Sequence, residues 1–439
     1  MVVLGMKVVN KNFRVRIYPS KVDRNDKGEK IASINKIDSN IGIYRFIYNK
    51  ELELINYFRS LLIQNGYGDN VIVDDVSCDV LLKMLREDYP FLEKAESSSR
   101  QQSQRNLIQA FKRHDNPNLK SEYPRFKRKN NTKENFRIIN NNNNVRIQKD
   151  KYGFDKIKLA KLGLVKFKTS KKYRAILRQA SDKNDPTAKI KHVTIKKENN
   201  EYYAVFNIKC VHVPERIIGP LQQVGIDIGC SKLAVFSNTQ EIPNLDLTQE
   251  TDKIIQYQKQ MSHHTQGSIR YNESKRLFNV WFTKLVNKRN DYYDKMTAYI
   301  VKNSCLVAVQ NENIIAWKHN KYLSHSIQLN APRIFMDKLE YKCDWNDVEF
   351  IKVPRNFPST QICSNCGKIN RNISGRDKLG IREWDCPFCP AHHDRDVNAS
   401  ATRKSLFPHL ISEINHFNPS CDGISPLETL NQVIGYEVA

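Results

Sequence analysis

Between Asn12 and Tyr18, apolar and charged residues alternate, with Phe13, Val15 and Ile17 set against Arg14 and Arg16. Successive side chains of a strand point to opposite faces, so this predicts a half-buried strand with one basic face, ended at Pro19. The period then changes. Over about 41–63, Ile43, Phe46, Ile47, Leu54, Phe58, Leu61 and Leu62 fall on one helical stripe. Further helical stretches follow at about 76–96 and 98–113, the latter with Leu107, Ile108 and Phe111 on its apolar face. Together they predict a helical bundle inserted after the first strand. Five consecutive asparagines at 140–144 read as a low-complexity loop or a turn between strands. From about 145 to 210 the pattern is short and alternating. His192–Lys196 and Tyr202–Ile208 flank Glu198-Asn199-Asn200-Glu201, giving a strand, a turn and a strand. With the strand at 12–18 these are expected to close a small barrel. A long helix is expected at about 270–301, running into an apolar strand at 305–309.

Composition narrows the class. The chain has 439 residues, 40 % of them hydrophobic and 10 % aromatic, which excludes a disordered polymer. No apolar stretch reaches the roughly 18–20 residues of a membrane helix, and the N-terminus has no signal-peptide core. A net charge of +24 calls for a polyanionic partner, most simply nucleic acid. That charge is concentrated: residues 101–180 hold 22 Lys/Arg against 5 Asp/Glu. Tyr123, Phe126, Phe136, Tyr152, Phe154, Phe167 and Tyr173 are interleaved with it. Cations release phosphate counterions and aromatic faces stack on unpaired bases. Arg125, Lys127, Arg128, Lys129, Lys171 and Lys172 are the candidate nucleic-acid contacts.

Three acidic clusters stand apart. Val224-Gly225-Ile226-Asp227-Ile228-Gly229 is an apolar strand carrying one carboxylate, followed by a turn and a second apolar stretch, Leu233–Ser237. A carboxylate on a buried strand is costly unless it is paired or binds a cation. A strand aspartate before a hairpin opens the ribonuclease-H-like fold, although sugar kinases and actin-like ATPases share it. The strand at 305–309 ends in Gln310-Asn311-Glu312, where Gln310 and Glu312 point the same way if the strand continues. Asp394-Arg395-Asp396-Val397-Asn398 supplies the third cluster, at the expected start of a helix. Three carboxylates from separate segments suit two Mg²⁺ ions about 3.5–4 Å apart, one activating water and one stabilising the leaving oxygen.

Cys363-Ser364-Asn365-Cys366 and Cys386-Pro387-Phe388-Cys389 are separated by 19 residues. Two CxxC knuckles at this spacing predict a tetrahedral structural zinc site, closed to catalysis. His392 and His393 lie nearby and are not expected to be ligands. The six remaining cysteines are scattered, which suits a reducing compartment better than a disulfide framework.

Taken together, these features resemble TnpB, the family of RNA-guided nucleases of insertion sequences, related to compact type V CRISPR effectors. Arg45-Phe46-Ile47-Tyr48-Asn49 resembles the family's early helix, and Tyr123-Pro124-Arg125-Phe126-Lys127 its basic segment. Gly225–Gly229 resembles the first RuvC motif, Ser359–Gly367 the entry to the zinc ribbon, and His393–Ser400 the third RuvC motif. The resemblance implies an α+β multidomain chain. A small β-barrel (wedge) spans 1–40 and 121–218 around a helical recognition bundle at 41–120. A ribonuclease-H-like (RuvC) α/β nuclease spans 219–358 and 393–439, interrupted by a zinc ribbon at 359–392. It implies an RNA-guided DNA endonuclease with catalytic Mg²⁺ and structural Zn²⁺. Its partners would be a guide RNA from the transposon end and target double-stranded DNA, with no membrane. It would act as a monomer with its RNA or as a dimer, in the prokaryotic cytoplasm. Asp227 and Asp396 become the first and third catalytic acids. The second motif departs from the family's apolar strand followed by Glu-Asp-Leu-Asn: Gln310 stands where the glutamate usually does, and Glu312 is expected to take its place as metal ligand. A compact CRISPR effector and a nuclease-weakened guide-dependent repressor are the alternatives.

Overall fold

The computed structural model describes residues 7–20, 23–24, 30–31, 33–68, 71–129, 134–199, 201–214, 222–229, 232–310, 324–354, 357–374 and 380–405. The chain divides into two compact units, Val8–Val211 and His212–Ala439 with Met1–Lys7. No described helix is long and apolar enough to cross a membrane.

In the first unit, β1 (Lys7–Tyr18) buries Val9, Phe13, Val15 and Ile17 and exposes its charged alternates. Arg14 pairs with Glu198 at 2.7 Å and lies 3.9 Å over the Tyr203 ring. A short pair, β2 (Asp23–Arg24) and β3 (Lys30–Ile31), precedes three helices: α1 (Ser33–Gln64), α2 (Asp75–Asp88) and α3 (Ser97–His114). The first helix starts eight residues before the predicted stretch, because buried Ile37, one turn before Ile41, carries the apolar stripe further back than the sequence reading took it. Asp74 and Ser77 form a reciprocal capping box at α2, and Glu96 caps α3. Ile43, Ile47, Leu82, Leu85 and Leu92 form one core between the helices, and Tyr48, Leu52, Leu81, Leu107 and Phe111 another.

The chain then returns to strands: β4 (Glu134–Ile139), β5 (Arg146–Lys149), β6 (Asp155–Leu159) and β7 (Gly163–Lys168). After α4 (Lys171–Gln179) come β8 (Ala188–Glu198) and β9 (Glu201–His212). They form one seven-stranded sheet in the order β4-β8-β9-β1-β7-β6-β5. Its end strands, β4 and β5, are consecutive in the chain and joined through the asparagine run, where Asn142 and Asn143 take left-handed backbone. The seven steps from Ile139 to Arg146 span at most about 25 Å, less than the roughly 29 Å between the edges of a flat seven-stranded sheet, so the sheet curls its edges toward each other. Among the described residues no ladder closes it into the expected barrel. Backbone groups at the two ends are satisfied by side chains instead: Ile139 N donates to Ser98 Oγ (2.9 Å) and Ile147 N to Ser181 Oγ (2.8 Å).

The second unit is built on a five-stranded sheet ordered β12-β11-β10-β13-β14. The strands are β10 (Gln222–Asp227), β11 (Lys232–Phe236), β12 (Glu241–Pro243), β13 (Ser304–Gln310) and β14 (Glu349–Val353). The first three run antiparallel, whereas β13 is parallel to β10 and β14 to β13. Parallel neighbours need crossovers. These contain α5 (Thr248–Ser262) and α6 (Ile269–Asn303), then α7 (Ser324–Asn330) and α8 (Pro332–Trp345). Tyr292, Tyr293 and Met296 of α6 pack with Phe335 and Leu339 of α8 and with Ile226, Val307 and Val309 of the sheet. Two small strands, β15 (Glu383–Asp385) and β16 (His392–Asp394), form an antiparallel pair, and α9 (Arg395–Ser405) follows directly.

Candidate active site and metal centre

Asp227 is the last residue of β10. The parallel register pairs Ile226 with Val309, so the next residues, Asp227 and Gln310, end the two strands side by side. Asp396 enters from the first turn of α9, which packs against β10. That turn is capped by the preceding strand: Asp394 Oδ1 accepts from the backbone N–H groups of Asp396 and Val397, both at 2.9 Å. Asp394 is therefore an N-cap, a use for a helix-start carboxylate that needs no metal. The Asp396 carboxyl is half-buried. Burial and the adjacent Asp227 charge raise its pKa, while Arg382, 3.4 Å away, pulls it down. Two partly desolvated carboxylates that repel each other form a site a cation would relieve. The structure thus brings Asp227 and Asp396 together from sequence positions 169 apart. Glu312 lies outside the described residues.

Gln310 is described, and its carboxamide is engaged on both sides. Nε2 donates to the Phe357 carbonyl at 3.1 Å, and Oε1 accepts from Ser359 Oγ at 2.8 Å. Asn398, two residues beyond Asp396 and 1 % exposed, makes a second such link. Its Nδ2 donates to Ile362 O at 2.7 Å and its Oδ1 accepts from Ser364 N at 2.9 Å, inside the first cysteine knuckle. Ser359 and Asn398 lie within the ribbon-entry and third-motif segments, and Arg382 lies in neither, but nothing in the sequence named a partner for any of the three; only the fold gives them partners.

The four cysteines of the two knuckles converge, with their Sγ atoms all within 4.8 Å of one another. Cys363–Cys389 and Cys366–Cys386 are each 3.7 Å apart, too long for disulfides. A tetrahedral zinc with Zn–S bonds of about 2.3 Å would hold its sulfurs about 3.8 Å apart. Donor type, number and spacing therefore fit Zn²⁺. His393 Nε2 lies 3.0 Å from Cys363 Sγ, beside the set, and His392 instead faces Asp385 at 2.8 Å. Burial pushes the Cys363 thiol up to about 12, whereas hydrogen bonds from Asn365 and the Ala391 backbone draw Cys389 down to about 6. Cys78, Cys210, Cys305 and Cys343 form no disulfide and are not members of this set.

The candidate nucleic-acid contacts divide. Arg125, Arg128, Lys129, Lys171 and Lys172 are exposed, Arg125 beside Glu122 at 2.7 Å. Lys127 is not presented in the same way: its Nζ sits 3.5 Å over the Tyr48 ring, and Asn49 brackets its backbone with two hydrogen bonds. Burial lowers its ammonium to about 8. Of the interleaved aromatics, Phe136 and Phe167 are core residues, whereas Phe126, Tyr152, Phe154 and Tyr173 are exposed. Strand alternation could have separated these sets for Phe136 and Phe167; the cation–π role of Lys127 left no local signal.

Residues 208–318 match the family model OrfB_IS605, described as "Probable transposase", and residues 333–402 match the Cas12f1-like TNB domain. A protein of Streptomyces pristinaespiralis named "Putative RNA-guided DNA endonuclease" is 25 % identical over 406 residues, covering 90 % of this chain and 89 % of its own. "Putative RNA-guided DNA endonuclease InsQ" of Escherichia coli (strain K12) is 22 % identical over 330 residues, covering 71 % of this chain and 74 % of its own. The cryo-EM structure of the Cas12f1-sgRNA-target DNA complex superposes with a TM-score of 0.53 at 14 % identity, covering 90 % of this chain and 99 % of that one. At that identity the likeness is one of fold.

Proposed function

We propose that this chain, a member of the TnpB family, is an RNA-guided DNA endonuclease of a transposable element that cuts target DNA beside a short adjacent motif. The observation that carries the reading is the convergence of Asp227 and Asp396 at the carboxyl end of β10, next to a four-cysteine set. The strand order, antiparallel on one side of β10 and parallel on the other, supports a ribonuclease-H-like (RuvC) nuclease. The four cysteines support a structural Zn²⁺ ribbon.

Asp227, Asp396 and, by our assignment, Glu312 would hold catalytic Mg²⁺. Bound Mg²⁺ supplies an activated water and charge stabilisation at the leaving oxygen. The protein's own contribution is placement. Asp394 fixes the first turn of α9 and so the backbone of Asp396. Arg382 offsets the negative charge beside Asp396. Arg125, Arg128, Lys129, Lys171 and Lys172 bind phosphates of guide RNA or target DNA. Base pairing with the guide selects the target, while protein reads the adjacent motif. We assign the curled sheet to a wedge and the three helices to a recognition bundle. The protein would act in the prokaryotic cytoplasm.

Gln310, standing where the family has a glutamate, favours a second reading: a guide-directed DNA binder with weakened cleavage. Expression beside the native flanking DNA, purification and sequencing of the bound RNA test the guided reading. One dominant RNA ending at a transposon boundary is expected. Repeat-spacer RNA would instead make the chain a compact CRISPR effector, and no defined RNA would overturn guidance.

A further inference from the structure

The second motif holds a neutral amide where a hard cation favours a carboxylate, and the structure offers that amide another task. The Phe357 carbonyl can only accept a hydrogen bond, so the group 3.1 Å from it must be the Gln310 amide nitrogen, which fixes the orientation of the carboxamide. The oxygen then accepts from Ser359 Oγ at 2.8 Å, and Ser359 is 1 % exposed. A glutamate could not do this: an ionised carboxylate has no donor and would set an oxygen against the Phe357 carbonyl. Phe357 and Ser359 belong to the segment that enters the first cysteine knuckle. On its other side that segment is held by α9, through Asn398 to Ile362 O and Ser364 N and through Thr402 Oγ1 to Ile362 O at 3.2 Å. The ribbon entry is thus gripped by the end of β13 and by the helix bearing Asp396.

We propose that Gln310 is a positioning residue rather than a remnant metal ligand: its carboxamide clamps the zinc-ribbon entry onto β13 and so holds α9, and with it Asp396, opposite Asp227. This rests on the nuclease reading for its catalytic consequence, but the clamp itself does not. It also accounts for the displaced acid, since a residue whose donor and acceptor both grip the ribbon entry leaves the metal's second carboxylate to another position.

The test compares the full ribonucleoprotein with Gln310→Glu, Gln310→Met and the milder Ser359→Ala. Three quantities are read: target affinity, the cleavage rate at saturating target across a Mg²⁺ titration, and the rate of zinc release to a colorimetric chelator. The clamp requires all three variants to release zinc faster. It also requires Gln310→Glu and Gln310→Met to cut on the order of ten- to a hundredfold more slowly, with unchanged target affinity and a half-saturating Mg²⁺ equal to or above that of wild type, since a loosened clamp displaces the metal ligand Asp396. Faster cutting by Gln310→Glu, or a lower half-saturating Mg²⁺, would overturn it and make this a metal-ligand position. Wild-type zinc release in all three variants would also overturn it. If the wild type itself does not cut, the nuclease reading fails, and the zinc-release comparison still decides the clamp.

Discussion

Replacing Glu51 with glutamine should make the N-terminal unit more stable at neutral pH. Glu51 lies inside α1 at 0 % exposure, and neither of its carboxylate oxygens has a hydrogen-bond partner. Burial, reinforced by the Asp79 charge and opposed by Lys127, raises its pKa from 4.5 to about 9. The carboxyl is therefore protonated in the folded protein and ionised in the unfolded chain. Its contribution to stability is full below pH 4.5 and falls as pH rises toward 9. At pH 7.5, three units above the unfolded value, the cost is about 4 kcal/mol, and at pH 5.5 it is about 1 kcal/mol. Lys127 does not blur this window. Its pKa is lowered from 10.5 to about 8, so its own contribution is flat below 8 and grows only above it. A glutamine has the same shape and cannot ionise, so the burial of an unpartnered polar head largely cancels in the comparison. Calorimetric melts of wild type and Glu51→Gln should show the variant's N-terminal transition raised by roughly 10 °C at pH 7.5 and by only a few degrees at pH 5.5. A variant no more stable at pH 7.5, or one with the same gain at both pH values, would refute the reasoning.

Other consequences follow from the second unit and the basic surface. Asp396→Asn removes one of two repelling carboxylates, so it should abolish cleavage while leaving the melting temperature unchanged or higher; a marked loss of stability would make Asp396 a structural residue. Cys386→Ser should release the zinc, read by metal analysis as loss of one equivalent, and should lower the melting temperature of the second unit; retention of the metal would contradict the four-cysteine site. Lys171→Ala and Lys172→Ala should each weaken RNA binding and reduce the log–log salt slope by about 1, in a filter-binding series at several salt concentrations. An unchanged slope would remove them from the interface.

Much of the fold was legible because burial leaves a period. The alternation at Phe13, Val15 and Ile17 and the stripe from Ile43 to Leu62 both became the elements they predict. Apolar runs around Asp227 and before Gln310 became adjacent parallel strands. Whether the sheet closes into a barrel was not legible, because closure depends on whether two edges pair; among the described residues no such ladder is formed, and Ser98 and Ser181 satisfy backbone groups on the end strands. The candidate site was readable where the chemistry is local, as in the two CxxC knuckles and the aspartates on recognisable motifs. It was unreadable where the partner is distant in sequence: Lys127 over Tyr48, Gln310 with Phe357 and Ser359, and Asn398 with Ser364. Those pairings are made by the fold and leave no spacing to detect.

The central claim is that carboxylates at the end of β10 and at the start of α9 cut DNA under RNA guidance. Its most direct test loads the purified protein with its co-purifying RNA. Cleavage of a matched double-stranded target in Mg²⁺ is then compared among wild type, Asp227→Ala and Glu312→Ala. The account requires metal-dependent cutting by wild type and none by either variant, with RNA bound equally by all three. Full activity in Asp227→Ala would contradict it outright, and full activity in Glu312→Ala would remove that residue from the metal site.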